Sequence, residues 1–368
     1  MDDRFKILDT RNIGEFKQKT FSGYKKTDVI NIVFKSIEEN KLENACNWCI
    51  ECIVSGYSVE LWDKLINFSS KIVHINNPNL PFYILKKNKI FENQLKYLGK
   101  DKENILLLRN SQMIRNLFFD VISTLTSSYK KKRYDKIPKL DEKEDFISEN
   151  INKKLFSQMI ILPNHLIHFT DPDDLRTILN EIFTMLKNFQ FGYNKCCYWI
   201  SWLVKWENLH KKHKLSWTLD NRDIKDVNQK YLNDIIWPVW ETIFEEVKIR
   251  DNANINHQTQ SLFKLFRNNY STGKRNKRLF LVFNAVGYLT HEINFDIPLR
   301  SNFKLFIDSQ CNVNKMYMVK KQYEVNNPII KENIKTNTKK SKKPKQHEIE
   351  IVQDQISLFN EVDAFIMK

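Results

Sequence analysis

The stretch Asn40–Pro78, NKLENACNWCIECIVSGYSVELWDKLINFSSKIVHINNP, constrains the fold most, because its apolar residues recur every three or four positions rather than every two. Ala45, Trp48, Cys49, Cys52 and Ile53 fall on one helical face. Asn40 is placed to cap that helix, with Glu43 three residues on to complete a capping box. Gly56 then supplies the left-handed residue that ends a helix, and Ser58 is placed to start a second one carrying Leu61, Trp62, Leu65, Ile66 and Ile72. So short a turn predicts an antiparallel pair whose apolar stripes share one core.

The same period runs through the rest of the chain. Thr27 is placed to cap a helix bearing Val29, Ile30, Val33, Phe34 and Ile37, and a less regular helix follows Pro81 and ends at Gly99. Further helices are expected over 109–123, over 147–162 up to Pro163, from Asp171-Pro172-Asp173 to Phe189, over 194–209, after Pro238, and over 261–266 and 275–289. The expected fold class is all-α, with two related multi-helix modules. The boundaries read as an irregular arm (1–27), module 1 (28–128), a charged linker (129–146), module 2 (147–325), a disordered basic tail (326–347) and an amphipathic C-terminal helix (348–368).

Four segments of the first half match four of the second in the same order. Asp28–Ile37 matches Asp174–Phe183, NACNWCI (Asn44–Ile50) matches NKCCYWI (Asn194–Ile200), LWDKLI (Leu61–Ile66) matches VWETIF (Val239–Phe244), and Arg109–Val121 matches Arg275–Val286. This reads either as a tandem duplication or as the chance likeness of two helical segments rich in Phe and Trp. Two units also fall short of the three or more usual in a solenoid.

A chain of 368 residues with 42% hydrophobic and 12% aromatic residues has ample material for two cores and is too apolar for a disordered chain. MDDRFKILDTRN lacks the apolar run of a secretory signal, and no uncharged apolar run is long enough to span a bilayer, so a soluble intracellular protein is expected. The six cysteines fit free thiols: all but Cys311 sit in apolar helical patterns.

The net charge of +15 is concentrated in two places. Tyr129–Lys139 holds six basic residues against one acid, and Asn326–His347 holds seven lysines against one glutamate. Each block is followed by acid: Leu140–Asn150 and Glu348–Lys368 each carry five acids against one lysine. The remainder is only mildly basic and does not call for an extended nucleic-acid groove.

With ACNWCIECIVSGYSVELWDKLI and the downstream RNSQMIRNLFF in view, residues 28–125 resemble a family of uncharacterised proteins encoded by nucleocytoplasmic large DNA viruses. The resemblance implies a viral origin and a working place in a cytoplasmic viral factory, the host nucleus or the virion. It implies no reaction and carries over no active-site residue.

Cys46, Cys49 and Cys52 form C-x2-C-x2-C, but on one helix they spread over an apolar face and lack a fourth ligand, so buried thiols are expected and no metal. The pairs His165/His168 and His210/His213 point no more strongly to a metal. NYSTGKR (Asn269–Arg275) lacks the early glycine and the following Ser or Thr of a phosphate loop, and neither G-x-S-x-G nor H-E-x-x-H occurs. Asp171, Asp173 and Asp174 are accounted for by helix capping. No catalytic residue and no cofactor is expected.

The basic segments carry the functional expectation. Lys130, Lys131, Lys132 and Arg133, with Lys339, Lys340, Lys342, Lys343 and Lys345, are placed to neutralise the phosphates of DNA or RNA or to enter an import receptor's groove; plain solvation explains such runs equally well. Tyr129 and Tyr134 are the exposed aromatics expected beside them, too few to indicate base stacking. Ile349, Val352, Ile356, Phe359, Val362 and Phe365 recur at helical spacing, for docking on this chain's own body or on a partner protein. Gln353, Ile356 and Phe359 match a sliding-clamp box only in part, since Asn360 replaces its second aromatic. The expected function is a non-enzymatic adaptor or scaffold in viral genome replication, expression or packaging. A protein-interaction or virion structural component without nucleic-acid binding, and a divergent nucleic-acid-processing enzyme, are the alternatives.

Overall fold

A computed structural model describes residues 3–99, 101–216, 218–301 and 303–325. Among them the chain is all-α, in the order α1 (Lys26–Glu38), α2 (Leu42–Val54), α3 (Ser58–Phe68), α4 (Leu80–Leu98), α5 (Gln112–Ser127), α6 (Ser148–Lys154), α7 (Asp173–Met185), α8 (Gly192–Lys212), α9 (Ile236–Arg250), α10 (Ala253–Arg267), α11 (Thr272–Thr290) and α12 (Phe303–Lys321). The nearest thing to a strand among these residues is one antiparallel bridge between Lys19 and Lys25.

Two compact units divide the chain, and both are discontinuous in sequence. Among the described residues, unit 1 takes 3–64, Lys87–Ser128 and 300–325; unit 2 takes Leu65–Lys86 and Tyr129–Leu299. The modules expected at 28–128 and 147–325 are therefore drawn elsewhere. Hydrophobic periodicity marks helices but not their partners, so nothing in the pattern separates Leu65–Lys86 from its neighbours.

In unit 1, α2 makes its main contacts with α1, α5 and α12 rather than with α3. Gly56 does close α2, at φ 78°, but the turn leads α3 away, where Trp62 stacks on Phe91 at 4.8 Å and meets Phe118 edge-on at 5.2 Å. Asn40 is not the cap of α2. Its own backbone is left-handed, φ 57°, and its amide donates to the Ile37 carbonyl, so it finishes α1. Thr27 and Ser58 likewise lie within the first turns of α1 and α3 rather than before them.

The arm expected to be irregular is packed: Ile7, Phe16 and Phe21 are buried, and the Arg109 guanidinium donates to the Asp9 carbonyl at 2.6 Å. The helix α12, which has no clear apolar stripe in sequence, is held by chemistry instead. Lys320 pairs with Glu51 at 2.9 Å with both side chains buried, and the Arg115 guanidinium lies 3.6 Å from the Tyr317 ring centre. Burial alone would raise the Glu51 carboxyl, but Lys320, Thr20 and the Ser22 amide hold it below the usual carboxylate range.

In unit 2, α8 packs on α7 and α11, and α10 on α11, around the fully buried Trp199, Trp237 and Trp240. Three of the sequence matches thus share an arrangement, α2 against α1 and α5 in one unit and α8 against α7 and α11 in the other. The likeness is partial, since α1 also packs on α5 while α7 has no comparable packing on α11. The fourth match does not share it, because α9 packs on α7, α8, α10 and α11 and α3 has no such set.

The helix expected over 147–162 stops at Lys154. Beyond it the backbone is held extended by two buried side chains of α7: Glu181 accepts from the Phe156 and Ser157 amides, and Asn180 accepts from the Ile161 and Leu162 amides while donating to the Met159 carbonyl. Helix hydrogen bonds are thereby outcompeted, and Phe156, Met159 and Ile160 point to solvent. Asp171 is likewise no cap; it accepts from the His168 amide and grips Arg222, both side chains fully buried.

Removing one member of a buried ion pair leaves the other charge uncompensated. Lys320→Met is expected to cost about 3–5 kcal/mol in urea unfolding. Glu51→Gln combined with Lys320→Met should recover most of that loss; an additive double mutant would contradict the pairing.

Candidate nucleic-acid interface

The segment expected to be a linker is a strap laid along unit 2. Its residues 129–140 form no helix, and Pro138 is a helix breaker within them. It is held at three points. The Asn76 side chain clasps Lys132 from both sides, donating to its carbonyl at 2.9 Å and accepting from its amide at 3.4 Å. Tyr134 is buried, and Asp145 and Phe146 dock on α8.

Tyr134 enters a nest made by residues distant in sequence. Its ring stacks on His74 at 3.7 Å and 12°, with Tyr193 edge-on at 5.2 Å and His291 edge-on at 5.9 Å. The chain positions His74 by ending α3 in a π-turn, Ser69–Val73, followed by a positive φ of 52° at His74 itself. A non-glycine residue rarely holds that conformation, and here the packing enforces it. Gly287 of α11 makes the room: a Cβ there would come within 2.4 Å of the His74 ring. Burial pushes the Tyr134 hydroxyl up to about 12.

The histidines are kept neutral. Burial drives His74 well below its ordinary value, and the charges of His291 and Lys132 add to the effect. His291 is lowered by burial and by Lys132. The Gly287 carbonyl lies 3.2 Å from His291 Nδ1 and can only accept, so Nδ1 carries the proton and Nε2 accepts from the Lys132 ammonium at 3.0 Å.

Two acids of the strap anchor it, Asp145 and Glu142, while Asp141 and Glu144 stay exposed. Tyr198 donates to Asp145 at 2.7 Å, Lys154 pairs with the same carboxylate, Trp202 donates to the Asp145 carbonyl at 2.7 Å, and Phe146 stacks on Trp202 at 5.0 Å. Glu142 pairs with Lys205 of α8. The basic half faces outward: Lys131, Lys132, Arg133, Lys136 and Lys139 are all exposed, Lys130 half-buried.

Of the residues singled out from sequence, Lys130, Lys131, Lys132 and Arg133 come together on this strap. Arg133 is paired with Asp135 at 2.7 Å, and Lys132 is shared with His291. The tail lysines Lys339, Lys340, Lys342, Lys343 and Lys345, and the apolar set Ile349, Val352, Ile356, Phe359, Val362 and Phe365, lie outside the described residues. Tyr134 is not the exposed aromatic its lysine neighbours imply; an aromatic ring buries regardless of the charges beside it if those can snorkel to water. Lys136 and Lys139 were legible in the charge run, whereas His74, Tyr193 and His291 carry no signal in sequence.

Elsewhere in unit 2, Glu207 and Asp234 converge on Arg275, all three buried, with Arg275 Nη1 2.6 Å from Asp234 and in contact with Glu207. Burial would lower the Arg275 value, but the two carboxylates more than reverse this and fix the guanidinium as a cation; the Asp234 carboxyl is raised by the same burial. Cys46, Cys49 and Cys52 are buried in α2 with thiols pushed up by burial. Among the described residues no three His, Cys, Asp or Glu side chains converge as metal ligands, and no helix is long and apolar enough to cross a membrane. No family model, curated protein or solved structure matches the chain.

Tyr134→Ala empties the nest at a cost of about 3 kcal/mol and should open the strap. Limited trypsin digestion is then expected to cut within 130–139 well before it cuts the wild type; equal cleavage rates would show that Tyr134 does not hold the strap. The histidines give a pH dependence. Their folded values lie below the ordinary 6.5, so the unfolded chain takes protons first as pH falls, and stability is lost from about pH 6.5 downward. His74 contributes a slope of about 1.4 kcal/mol per pH unit there. His74→Asn, whose side chain does not titrate and tolerates positive φ, should flatten the decline measured by thermal unfolding between pH 7.5 and pH 5.

Proposed function

We propose that the protein is a non-catalytic helical adaptor that holds nucleic acid through the basic strap 129–139. The observation that carries this reading is the anchoring of the strap: Tyr134 and Asn76 fix its backbone, and Lys131, Lys132, Arg133, Lys136 and Lys139 are exposed along it. A strap whose backbone is already fixed loses less backbone entropy on meeting phosphates than a free lysine tail does. Work in the replication, expression or packaging of a viral genome, in the nucleus, a cytoplasmic factory or the virion, rests on the resemblance at Ala45–Ile66. The lysines between Lys339 and Lys345 would add contacts of the same kind, and the apolar set from Ile349 to Phe365 would engage a protein partner.

A second reading, a protein-interaction or virion structural component, is favoured by one observation. Phe156, Met159 and Ile160 are more than half exposed on a segment whose backbone is already hydrogen-bonded to Asn180 and Glu181. A divergent nucleic-acid enzyme has less support, since Glu207 and Asp234 surround a buried arginine instead of an open cleft.

Fluorescence anisotropy with labelled 20-nucleotide single strands across a salt series tests the main reading. Binding should weaken steeply with salt, and Lys131→Gln, Lys136→Gln and Lys139→Gln together should reduce the log–log slope by roughly two. Binding that ignores salt, or a slope unmoved by the triple variant, would refute it; a complex with another protein that survives high salt would favour the second reading.

A further inference from the structure

Beside the strap lies a groove of about 330 Å³, walled by Ile137 and Pro138 of the strap, Val204 and Asn208 of α8, and Asn276 and Leu279 of α11. That volume suits one nucleotide and lies at the lower end of ligand sites in general. Apolar and polar side chains share the wall, which also takes in the Ser201 hydroxyl and Lys205, whose ammonium is paired with Glu142, besides the two carboxamides.

The orientation of those carboxamides is set from behind. Arg275 Nη2 lies 3.5 Å from Asn208 Oδ1, and Arg275 Nε lies 3.3 Å from Asn276 Oδ1. A guanidinium has donors and no acceptor, so each asparagine must turn its oxygen to Arg275 and its NH2 group away. Arg275 itself cannot swing, because Glu207 and Asp234 grip it in a fully buried site. The charge triad of unit 2 thus holds the oxygens of Asn208 and Asn276, two residues that line the groove, and leaves their NH2 groups for other partners.

We infer that this groove is a base-binding subsite for a single-stranded nucleic acid whose backbone runs along the strap. The inference rests on the proposed function and deepens it. The flat face of a base covers the apolar part of the wall, its phosphates reach Lys136 and Lys139 on the strap, and the two amide donors meet acceptors on the base edge. Guanine presents two adjacent acceptors, O6 and N7, whereas adenine places an amino donor beside N7 and sets donor against donor. The site therefore selects guanine over adenine, and it selects single strands, whose bases are free to leave the stack.

The test uses the full chain and oligo-dT 12-mers with one central dG or dA, read by anisotropy at fixed salt. The wild type is expected to bind the dG probe at least fivefold more tightly. Asn208→Leu with Asn276→Leu removes the donors without adding charge, and Asn208→Asp with Asn276→Asp keeps the contact to Arg275 while replacing donors by acceptors. Both double variants should lose the dG preference, the leucine pair with an unchanged salt slope and the aspartate pair with weaker binding to both probes, since its added charges oppose the phosphates. Equal binding of dG and dA by the wild type, or a preference retained by the leucine pair, overturns the subsite and leaves the strap reading standing. Absence of salt-dependent binding to either probe removes the strap reading as well.

Discussion

A charge taken out of water must be paired, and in this protein that requirement decides where the long connections lie. Lys320 and Glu51 fasten α12 to α2 in unit 1, Arg222 and Asp171 fasten the loop before α9 in unit 2, and Arg275 collects Glu207 and Asp234. Each joins segments far apart in sequence. Helix packing driven by Trp and Phe is tolerant of small rotations, since hydrophobic contact has no direction. The ion pairs are not tolerant, because a misplaced partner leaves a bare charge in a dry interior. They give each unit one register.

The strap obeys the same logic with softer groups. Its acids meet Lys154, Lys205 and Tyr198, its tyrosine meets two neutral histidines, and its remaining cations are left on the surface. The segment thus displays cations over its first part, while the exposed acids Asp141, Glu142 and Glu144 follow in its second. Position along the fold, not net charge, separates the half that anchors from the half that is offered outward. Beside it, the buried Arg275 holds the oxygens of two groove-lining asparagines without itself touching solvent.

Much of the fold was legible because helical spacing is a local property. The helices bearing Trp48, Phe118, Ile182, Trp199 and Val286 fall where their apolar stripes place them. What was not legible is non-local. Nothing in Leu61–Ile66 says that α3 leaves α2 for Phe91 and Phe118, and nothing in FSQMII says that Asn180 and Glu181 will claim its amides before a helix does. The lysines of the strap were visible as a run of charge. Tyr134 was misplaced because its neighbours are polar, and its receptor is assembled from His74, Tyr193 and His291, which lie far apart in the chain. Asn208 and Asn276 are ordinary helix residues until Arg275 lies behind them.

The way the units divide the chain bears on how the protein is made. A ribosome delivers α1, α2 and α5 early, yet unit 1 also needs α12, which begins at Phe303, whereas every part of unit 2 has been delivered by Leu299. At ordinary translation speeds the interval from Ser128 to α12 is roughly 10–35 s. During that time the faces of α2 and α5 that α12 will cover stay open to solvent, so the portion begun first is finished last. Chaperone demand should be concentrated on those two faces of the nascent chain.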